Sequence, residues 1–322
     1  MRSERLAVLA LKISKRVLIM RRTLEENWLR LIRLYTFNTP ISKGKYRLFQ
    51  IALRFCKFQH KSLAANSRDG RLFSANLTTG MQEHLFFFGE YEKVLSRITS
   101  ALINPGDVCI DVGANFGWYT TLMALHCGSE GDVHAFEPVQ ASFLELRKNY
   151  ALSGSPANVF INELALGDRE GAITISLFDG EPTGHASIAA KRDSGAVSFE
   201  CRMTKLDDYL VENGVGDVDF VKVDIEGAEM MFLYGSQRLF KQKKPPIFLM
   251  EMALEQTRHF GYLPTDLIDY IGSRGEYEFF SVDEIRGTLR QITEFSINDI
   301  GANVFCIPRH RSRDSLSALI ER

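Results

Sequence analysis

A carboxylate followed by a glycine-rich turn stands at Asp111-Val-Gly-Ala-Asn-Phe-Gly117. Gly113 and Gly117, with Asn115 between them, allow a tight turn and a close approach of the backbone to a ligand. The spacing differs from the G-x-G-x-x-G of dinucleotide sites, and Asp111 would repel a pyrophosphate. It suits a ligand with cationic groups, such as the amino group and sulfonium of a methyl donor. The alternative is an ordinary tight turn between a strand and a helix.

Polar residues also follow the next two predicted strands. Glu137, which precedes Pro138, stands where a carboxylate can accept hydrogen bonds from both hydroxyls of a ribose. Glu163 and Asp168 follow the third strand, where either could accept a hydrogen bond from the amino group of an adenine. Either could instead be a solvated loop carboxylate.

The densest acidic feature runs from Lys222 to Glu229 with the spelling Lys-Val-Asp-Ile-Glu-Gly-Ala-Glu. Lys222 and Asp224 point to the same face of a predicted buried strand, where charges are costly unless they are paired or functional. Asp224 or Glu226 is the first candidate for a general base. His185, in a loop that could close over an acceptor, is the second. Glu229 lies in the first turn of a helix and could simply stabilise its N-terminus.

Glu251 ends the next predicted strand and is either a ligand-facing carboxylate or a partner of Lys222 or of an arginine. Together with Asp224 and Glu226 it could hold a hard divalent cation, but nothing in the sequence defines a coordination geometry. We therefore predict no metal site. The five cysteines form no C-x-x-C pair and no cluster with zinc-ligand spacing, so we expect reduced thiols that mostly fill the core.

These residues must be positioned by strands that alternate with helices. The strand predictions are Leu72–Leu77, Glu83–Phe87, Val108–Val112, Asp132–Phe136, Asn158–Asn162, Phe220–Val223, Ile247–Met250 and Val304–Ile307. The helix predictions are residues 1–36, Arg47–Lys57, Glu90–Leu102, Trp118–His126 and Gln140–Leu152. This alternation predicts an α/β fold with a mostly parallel sheet, helices on both faces and ligands at the carboxyl ends of the strands. Ile173–Leu177 and Val197–Cys201 predict an antiparallel insertion.

Charge divides the chain unevenly. Residues 1–61 hold 15 Lys/Arg and 3 Asp/Glu, a formal charge of +12, whereas the rest carries −13. Leu24, Trp28, Leu31 and Tyr35 recur at helical spacing and make one apolar stripe. The basic segment is therefore either an amphipathic helix that contacts an anionic membrane or a partner, or a helical cap packed on the catalytic domain.

We predict a basic helical extension over residues 1–67 and a catalytic domain over residues 68–322, with its core at about 105–307. The sequence contains no uninterrupted apolar run of transmembrane length, and Leu6–Leu11 is too short for the core of a signal peptide. A cytoplasmic protein that could rest on a membrane at its periphery is the expectation, with its oligomeric state open.

Four motifs in order, Asp111–Thr120, Ala135–Pro138, Ala165–Asp168 and Lys222–Glu229, closely resemble the FkbM family of methyltransferases, and the resemblance covers about residues 68–307. It implies a Rossmann-like methyltransferase fold and methyl transfer from S-adenosylmethionine to a hydroxyl oxygen of a small-molecule or glycosyl acceptor. It further implies roles for individual residues. Asp111, Gly113, Asn115 and Gly117 would line the amino-acid end of the donor, Glu137 would hold the ribose, Asp168 would lie near the adenine and Asp224 would sit between donor and acceptor.

Three other functions remain open on the residues alone. A nucleotide-dependent oxidoreductase is disfavoured by the missing G-x-G-x-x-G. A nucleic-acid or protein methyltransferase could use the basic N-terminus, although the fourth strand lacks the Asn/Asp-Pro-Pro-Tyr/Phe element of many base-modifying enzymes, so no specific nucleic acid is expected. A non-catalytic binding protein would have little need to retain Asp111, Glu137 and Asp224. Acceptor specificity is expected in loop 179–195, the N-terminal extension and the region after Glu251.

Overall fold

The computed structural model describes residues 24–39, 43–55, 62–177, 186–187, 197–293, 302–311, 316 and 319–320. The chain forms two compact units, Met1–Tyr91 and Glu92–Arg322. The domain boundary expected at residue 67 stays a prediction. Among the described residues, no helix combines the length and the apolar character needed to cross a membrane.

The first unit combines three helices with a two-stranded antiparallel sheet. Its elements are α1 (residues 24–38), α2 (Lys45–Phe55), β1 (Ser62–Asn66), β2 (Leu72–Asn76) and α3 (Met81–Phe88). Its core contains Leu29 of α1, Phe49 of α2 and Phe86 and Phe87 of α3. The rings of Phe49 and Phe87 meet edge to face, with centroids 5.4 Å apart.

The prediction of a strand over Glu83–Phe87 was wrong, because these residues lie in helix α3. The aromatic run Phe86–Phe88 is typical of a strand, but glycines bracket the segment. Gly89 adopts the left-handed conformation at the helix C-terminus, and its N–H donates to the Leu85 carbonyl at 2.8 Å. Helix α3 buries Leu85, Phe86 and Phe87 in the core of the first unit.

The second unit carries the predicted alternation of strands and helices. Its helices are α4 (Lys93–Leu102), α5 (Trp118–Cys127), α6 (Gln140–Leu152), α7 (Leu206–Glu212), α8 (Glu229–Tyr234), α9 (Gln237–Lys241), α10 (Leu254–His259) and α11 (Pro264–Gly272). Its strands are β3 (Val108–Val112), β4 (Asp132–Phe136), β5 (Val159–Asn162), β6 (Ala165–Leu166), β7 (Gly171–Leu177), β8 (Ala186–Ser187), β9 (Val197–Thr204), β10 (Phe220–Val223), β11 (Ile247–Glu251), β12 (Tyr277–Asp283), β13 (Thr288–Gln291) and β14 (Asn303–Pro308).

The main sheet has eight strands in the order β13-β12-β14-β11-β10-β3-β4-β5. The five strands from β11 to β5 are parallel, whereas β14, β12 and β13 extend the sheet antiparallel. The chain runs outward from β3 through β4 and β5 and later returns to β10 on the other side of β3. Because crossovers between parallel strands are right-handed in nearly all proteins, crossovers in the two opposite directions from β3 place helices on both faces. This arrangement confirms the predicted Rossmann-like class.

The predicted antiparallel insertion is also confirmed. Strand β9 pairs with β7 antiparallel in a separate sheet of order β6-β9-β7-β8. The sequence analysis missed β12 and β13, because their apolar residues are interrupted by charged ones at Glu278, Asp283 and Arg290. Cys109, Cys127 and Cys306 are buried, as expected of core residues.

Candidate functional site

Strands β3 and β10 are parallel neighbours, and the order in which the chain adds strands to the sheet reverses between them. A ligand crevice in an open α/β sheet forms at such a switch point, outside the carboxyl ends of the strands. The glycine turn leaves the end of β3, and the acidic motif leaves the end of β10. The topology therefore brings together two motifs that are more than a hundred residues apart in sequence.

A chain of alternating charges crosses this switch point. Lys222 is the register partner of Asp111 in the parallel pair, and its Nζ lies 3.8 Å from Asp111 Oδ1 and 3.1 Å from Asp224 Oδ2. Asp111 is completely buried and Lys222 is nearly so, whereas 40% of the Asp224 side chain is exposed. One ammonium group thus joins a buried carboxylate to one that a ligand can reach.

Asp111 is stabilised from within the fold. The hydroxyl of Thr120 donates to Asp111 Oδ2 at 2.6 Å, while Oδ1 accepts no hydrogen bond and faces Lys222. Burial raises the pKa of the Asp111 carboxyl, and Lys222 and Thr120 counteract part of that rise. Asp111 is the penultimate residue of β3 and precedes the glycine turn.

Lys222 also contacts aromatic and acidic groups from the helical layer. Its Nζ lies 5.2 Å from the centre of the Tyr119 ring, which suits a cation–π contact. The Tyr119 hydroxyl donates to Glu92 Oε2 at 2.6 Å. Burial disfavours the ammonium form of Lys222, but Asp224 and Asp111 outweigh burial, so that the pKa of Lys222 is raised and the group stays charged.

The glycine turn contacts the ends of two strands, β4 and β10. The N–H groups of Gly113 and Ala114 both donate to the Phe136 carbonyl at 3.0 Å. Gly113 has φ 77°, and a Cβ at this position would lie 1.9 Å from the backbone oxygen of Asp224. Only glycine allows this approach. Asn115 also adopts a left-handed conformation, with φ 48°, which Asn tolerates better than most residues.

Glu137 connects the ends of β3 and β4. Its Oε2 accepts the N–H of Asn115 and its Oε1 accepts the N–H of Val139, both at 2.8 Å. Burial raises the pKa of the Glu137 carboxyl to about 7, although both hydrogen bonds favour the ionised form. Each carboxylate oxygen has a second lone pair, so that a ribose contact at Glu137, next to half-buried Pro138, is compatible with these bonds and stays a prediction.

The turn that follows β10 is clamped by Glu229. Glu229 Oε1 accepts the N–H groups of Ile225 and Gly227 at 3.2 and 3.1 Å. Its Oε2 lies 2.9 Å from the Tyr262 hydroxyl, which is also 2.8 Å from the Gly227 carbonyl. Glu229 is 1% exposed, and burial raises its pKa to about 7. Glu229 therefore lies in the first turn of α8, as predicted, and its side chain holds the turn that precedes this helix.

Glu226 stands in this turn in a strained conformation. Its φ is 55°, which is costly for a residue with a long side chain. Gln256 Nε2 donates to Glu226 Oε2 at 3.1 Å, so α10 also contributes to the position of the carboxylate. The turn after β10 and the segment after β11 are therefore held together by Glu226 with Gln256 and by Glu229 with Tyr262.

Asp224, Glu226 and Glu251 form a cluster in which one carboxylate oxygen from each residue lies within 4.8 Å of the others. Burial raises the pKa of the Glu251 carboxyl well above its usual range, and the charges of Asp224 and Glu226 add to that rise. Glu251 Oε2 is buried and accepts no hydrogen bond. The expectation of no metal stays a prediction.

The other candidate residues are placed less centrally. Glu163 is exposed, and half-buried Asp168 pairs with Arg169 at 3.0 Å. His185 lies outside the described residues. The sequence analysis gave no role to Thr120, Tyr119 or Glu92. A hydroxyl nine residues after Asp111 was the available signal for Thr120, whereas nothing local marked Glu92.

The arrangement can bind a cation and accept a proton. Asp111, Glu137, Asp224, Glu226 and Glu251 all lie at the carboxyl edge of the sheet, and Lys222 is the ammonium that the described part of the chain places among them. Even when buried Glu251, with its raised pKa, is counted as neutral, the carboxylates outnumber this ammonium, and the balance favours a positively charged ligand. The exposed part of Asp224 offers a carboxylate to a group that loses a proton.

A family model described as the methyltransferase FkbM domain matches residues 111–290, more than half of the chain. The 2-O-methyltransferase NoeI of Sinorhizobium fredii is 26% identical over 217 residues, which cover 61% of this chain and 86% of NoeI. The 31-O-demethyl-FK506 methyltransferase FkbM of Streptomyces tacrolimicus is 26% identical over 162 residues, which cover 41% of this chain and 60% of that protein.

The hexuronic acid methyltransferase AglP of Haloferax volcanii is 30% identical over 145 residues, which cover 45% of this chain and 56% of AglP. The match thus spans less than two thirds of the length of the Streptomyces and Haloferax relatives. In all three comparisons the match covers only part of this chain and part of the relative.

Proposed function

The chain belongs to the FkbM family of S-adenosylmethionine-dependent methyltransferases, and we propose that it methylates a hydroxyl oxygen of a small-molecule or glycosyl acceptor. The observation that carries the proposal is the Asp111–Lys222–Asp224 chain of charges at the switch point, with contacts of 3.8 and 3.1 Å. It joins the donor motif to a carboxylate that is accessible to an acceptor.

The residues of the crevice fit the methyl donor. S-adenosylmethionine carries a sulfonium and an amino group and supplies an already activated methyl group when bound. The surplus of carboxylates at the sheet edge matches those positive charges. Gly113, Asn115 and Gly117 offer a backbone surface beside buried Asp111, Glu137 is the proposed ribose acceptor, and Glu163 and Asp168 are the candidates near the adenine.

The proposed base is Asp224. A hydroxyl acceptor has a high pKa, so proton removal by a nearby carboxylate assists attack on the methyl group. Lys222 donates to Asp224 Oδ2 at 3.1 Å, and 40% of the Asp224 side chain is exposed, so an acceptor hydroxyl can approach the carboxylate. Glu226 is the alternative base on the same turn, and His185 remains a candidate from the loop outside the described residues. The remaining catalytic contribution is alignment of the two reactants.

The class of acceptor is proposed from the relatives. The printed names of NoeI and of the Streptomyces enzyme specify an oxygen position, and that of AglP specifies a hexuronic acid. These names favour a hydroxyl on a sugar or a polyketide-type product. Within the part of the crevice that the structure describes, no feature favours a nucleic acid or a protein as the acceptor.

Calorimetric titration with S-adenosylmethionine and S-adenosylhomocysteine tests the donor part of the proposal. We expect saturable binding of both compounds, and an absence of binding would contradict the donor part of the proposal. A transfer assay with labelled donor on a panel of glycosyl, polyketide, peptide and oligonucleotide acceptors tests the acceptor part. Label that enters a hydroxyl oxygen supports the proposal, whereas label only on nitrogen or in oligonucleotides contradicts it.

A further inference from the structure

Helix α1 has an apolar face that is exposed. Leu24 and Leu31 are each 63% exposed, Leu34 is 57% exposed and Trp28 is 37% exposed. At 100° per residue these side chains fall on one side of the helix. Three residues of the apolar stripe that the sequence analysis identified, Leu24, Trp28 and Leu31, thus face solvent together with Leu34. The fourth, Tyr35, is half-buried and donates its hydroxyl to the Lys43 carbonyl at 3.2 Å. We call the four exposed residues the α1 stripe.

A different face of α1 already makes the contacts of the first unit. Leu29 is fully buried and Ile32 is 6% exposed. The Thr36 hydroxyl donates to the Phe87 carbonyl, and Arg33 Nε donates to the Phe86 carbonyl at 2.7 Å. Because this second face supplies the packing, the core of the first unit does not account for the α1 stripe.

The sequence segment that contains α1 is strongly basic. Residues 1–61 carry a formal +12. Arg30 is exposed on α1, and Arg47 and Arg54 are exposed on α2. The acidic residues of the segment, apart from Glu4, are Glu25 and Glu26, and both are half-buried. A large apolar side chain beside exposed cations is typical of a helix that lies in the plane of a membrane interface.

We propose that the α1 stripe and the basic residues around it bind the surface of an anionic lipid bilayer. The leucines would insert into the boundary between headgroups and acyl chains, and Trp28 has the amphipathic ring that is enriched at this depth. The arginines would contact anionic headgroups. Charge argues against a second copy as the occupant, because two such surfaces would bring two segments of +12 together.

Co-sedimentation of the full-length chain with vesicles tests this surface. Vesicles of phosphatidylcholine with about a third phosphatidylserine should bind the protein, and raising the salt should weaken binding because screening reduces the attraction. Vesicles of phosphatidylcholine alone should bind it much less. Trp28 provides a direct probe, since the other tryptophan, Trp118, is buried and hydrogen-bonded to Ser96. The fluorescence emission of Trp28 should shift to shorter wavelength on anionic vesicles, and Trp28→Phe should abolish the shift.

Leu31→Glu should lower vesicle binding by about tenfold or more. Leu144→Glu is a matched control, because Leu144 is a similarly exposed leucine, at 56%, on α6 of the second unit. It should bind vesicles like the natural protein. Unchanged circular dichroism and donor binding of Leu31→Glu would show that the variant is folded. Failure of the natural protein to bind anionic vesicles would overturn the proposal, as would equal loss in both variants. A dimer that Leu31→Glu dissociates, without lipid binding, would assign the stripe to a second copy instead.

Discussion

Asp111 and Lys222 are direct register partners on the adjacent parallel strands β3 and β10, and Lys222 Nζ lies 3.8 Å from Asp111 Oδ1. The pair stands where the order of the strands reverses, and it connects the strand that precedes the glycine turn to the proposed base Asp224. This relationship explains why a lysine is retained inside a buried parallel strand, where an unpaired ammonium would be costly.

Replacement of the buried lysine should destabilise the fold. Lys222→Met leaves Asp111 without its cation, and we expect the free energy of unfolding to fall by about 3–5 kcal/mol. Urea denaturation measures the change. Lys243→Met removes an exposed lysine of the same unit and should change the free energy by less than about 0.5 kcal/mol. Equal stability of the two variants would show that Asp111 does not depend on Lys222.

Loss of the proposed base should affect turnover more than binding. Asp224→Asn keeps the shape of the side chain but removes the proton acceptor, and kcat should fall by about 10²–10⁴-fold. The Kd for S-adenosylhomocysteine should change much less, because the fold and the glycine turn remain. Asp208→Asn alters an exposed aspartate on α7 and serves as the control. Full activity of Asp224→Asn would transfer the role of base to Glu226 or His185.

The glycine turn permits a test that separates strain from contact. Gly113→Ala would place a Cβ 1.9 Å from the Asp224 carbonyl, so we expect loss of donor binding and a lower Tm. Gly128→Ala also changes a glycine with positive φ, 67°, but nothing lies within 4 Å of its added Cβ. It should therefore show only the backbone cost of its conformation, φ 67° and ψ −170°, which is about 1–3 kcal/mol. Similar effects of the two substitutions on donor binding would argue against the close approach.

The clamp on the turn after β10 should control kcat. Glu229→Ala removes the acceptor for two backbone N–H groups, so the position of Asp224 and Glu226 should loosen and kcat should fall by about tenfold or more. Glu229→Gln retains an oxygen acceptor and should recover most of that loss, and Tyr262→Phe should have a smaller effect in the same direction.

Asp219→Ala is the matched control for the clamp. It also removes a carboxylate that accepts a backbone N–H, at 3.0 Å from Val108, but at the opposite end of β10. It should lower stability without lowering kcat of the remaining folded protein. If Glu229→Ala and Asp219→Ala changed kcat equally, Glu229 would have only a general structural role.

Buried Glu137 and Glu229 should make stability depend on pH. The pKa of each is raised from 4.5 to about 7 in the folded state. A raised folded pKa means that the contribution to stability is fully present below about pH 4.5 and is lost as the pH rises through 7. Each group then contributes about 3 kcal/mol less at pH 8.5 than at pH 4.5.

Urea denaturation across that range checks the pH dependence. Glu137→Gln and Glu229→Gln should each flatten the profile, because an amide does not titrate. A profile that rises from acid to neutral pH in the natural protein, and is unaffected by both substitutions, would contradict the assignment.

The sequence by itself determined the elements around the donor site. The strands Val108–Val112, Asp132–Phe136 and Phe220–Val223 and the helix Gln140–Leu152 were predicted with little or no error. Such short β-rich runs alternating with helical segments define a parallel sheet, because parallel strands need crossovers. The acidic and glycine motifs at the strand ends then identified the family, since those residues are read locally along the chain.

Only the tertiary structure decided which side chains meet. The pairing of Lys222 with Asp111, the clamp formed by Glu229 and Tyr262 and the contact of Gly113 with Asp224 join segments distant in sequence. The exposure of the α1 stripe was likewise decided only by the tertiary structure. Helical periodicity identified an apolar face, but burial depends on neighbours that no local pattern encodes, and α1 packs through Leu29 and Ile32 instead.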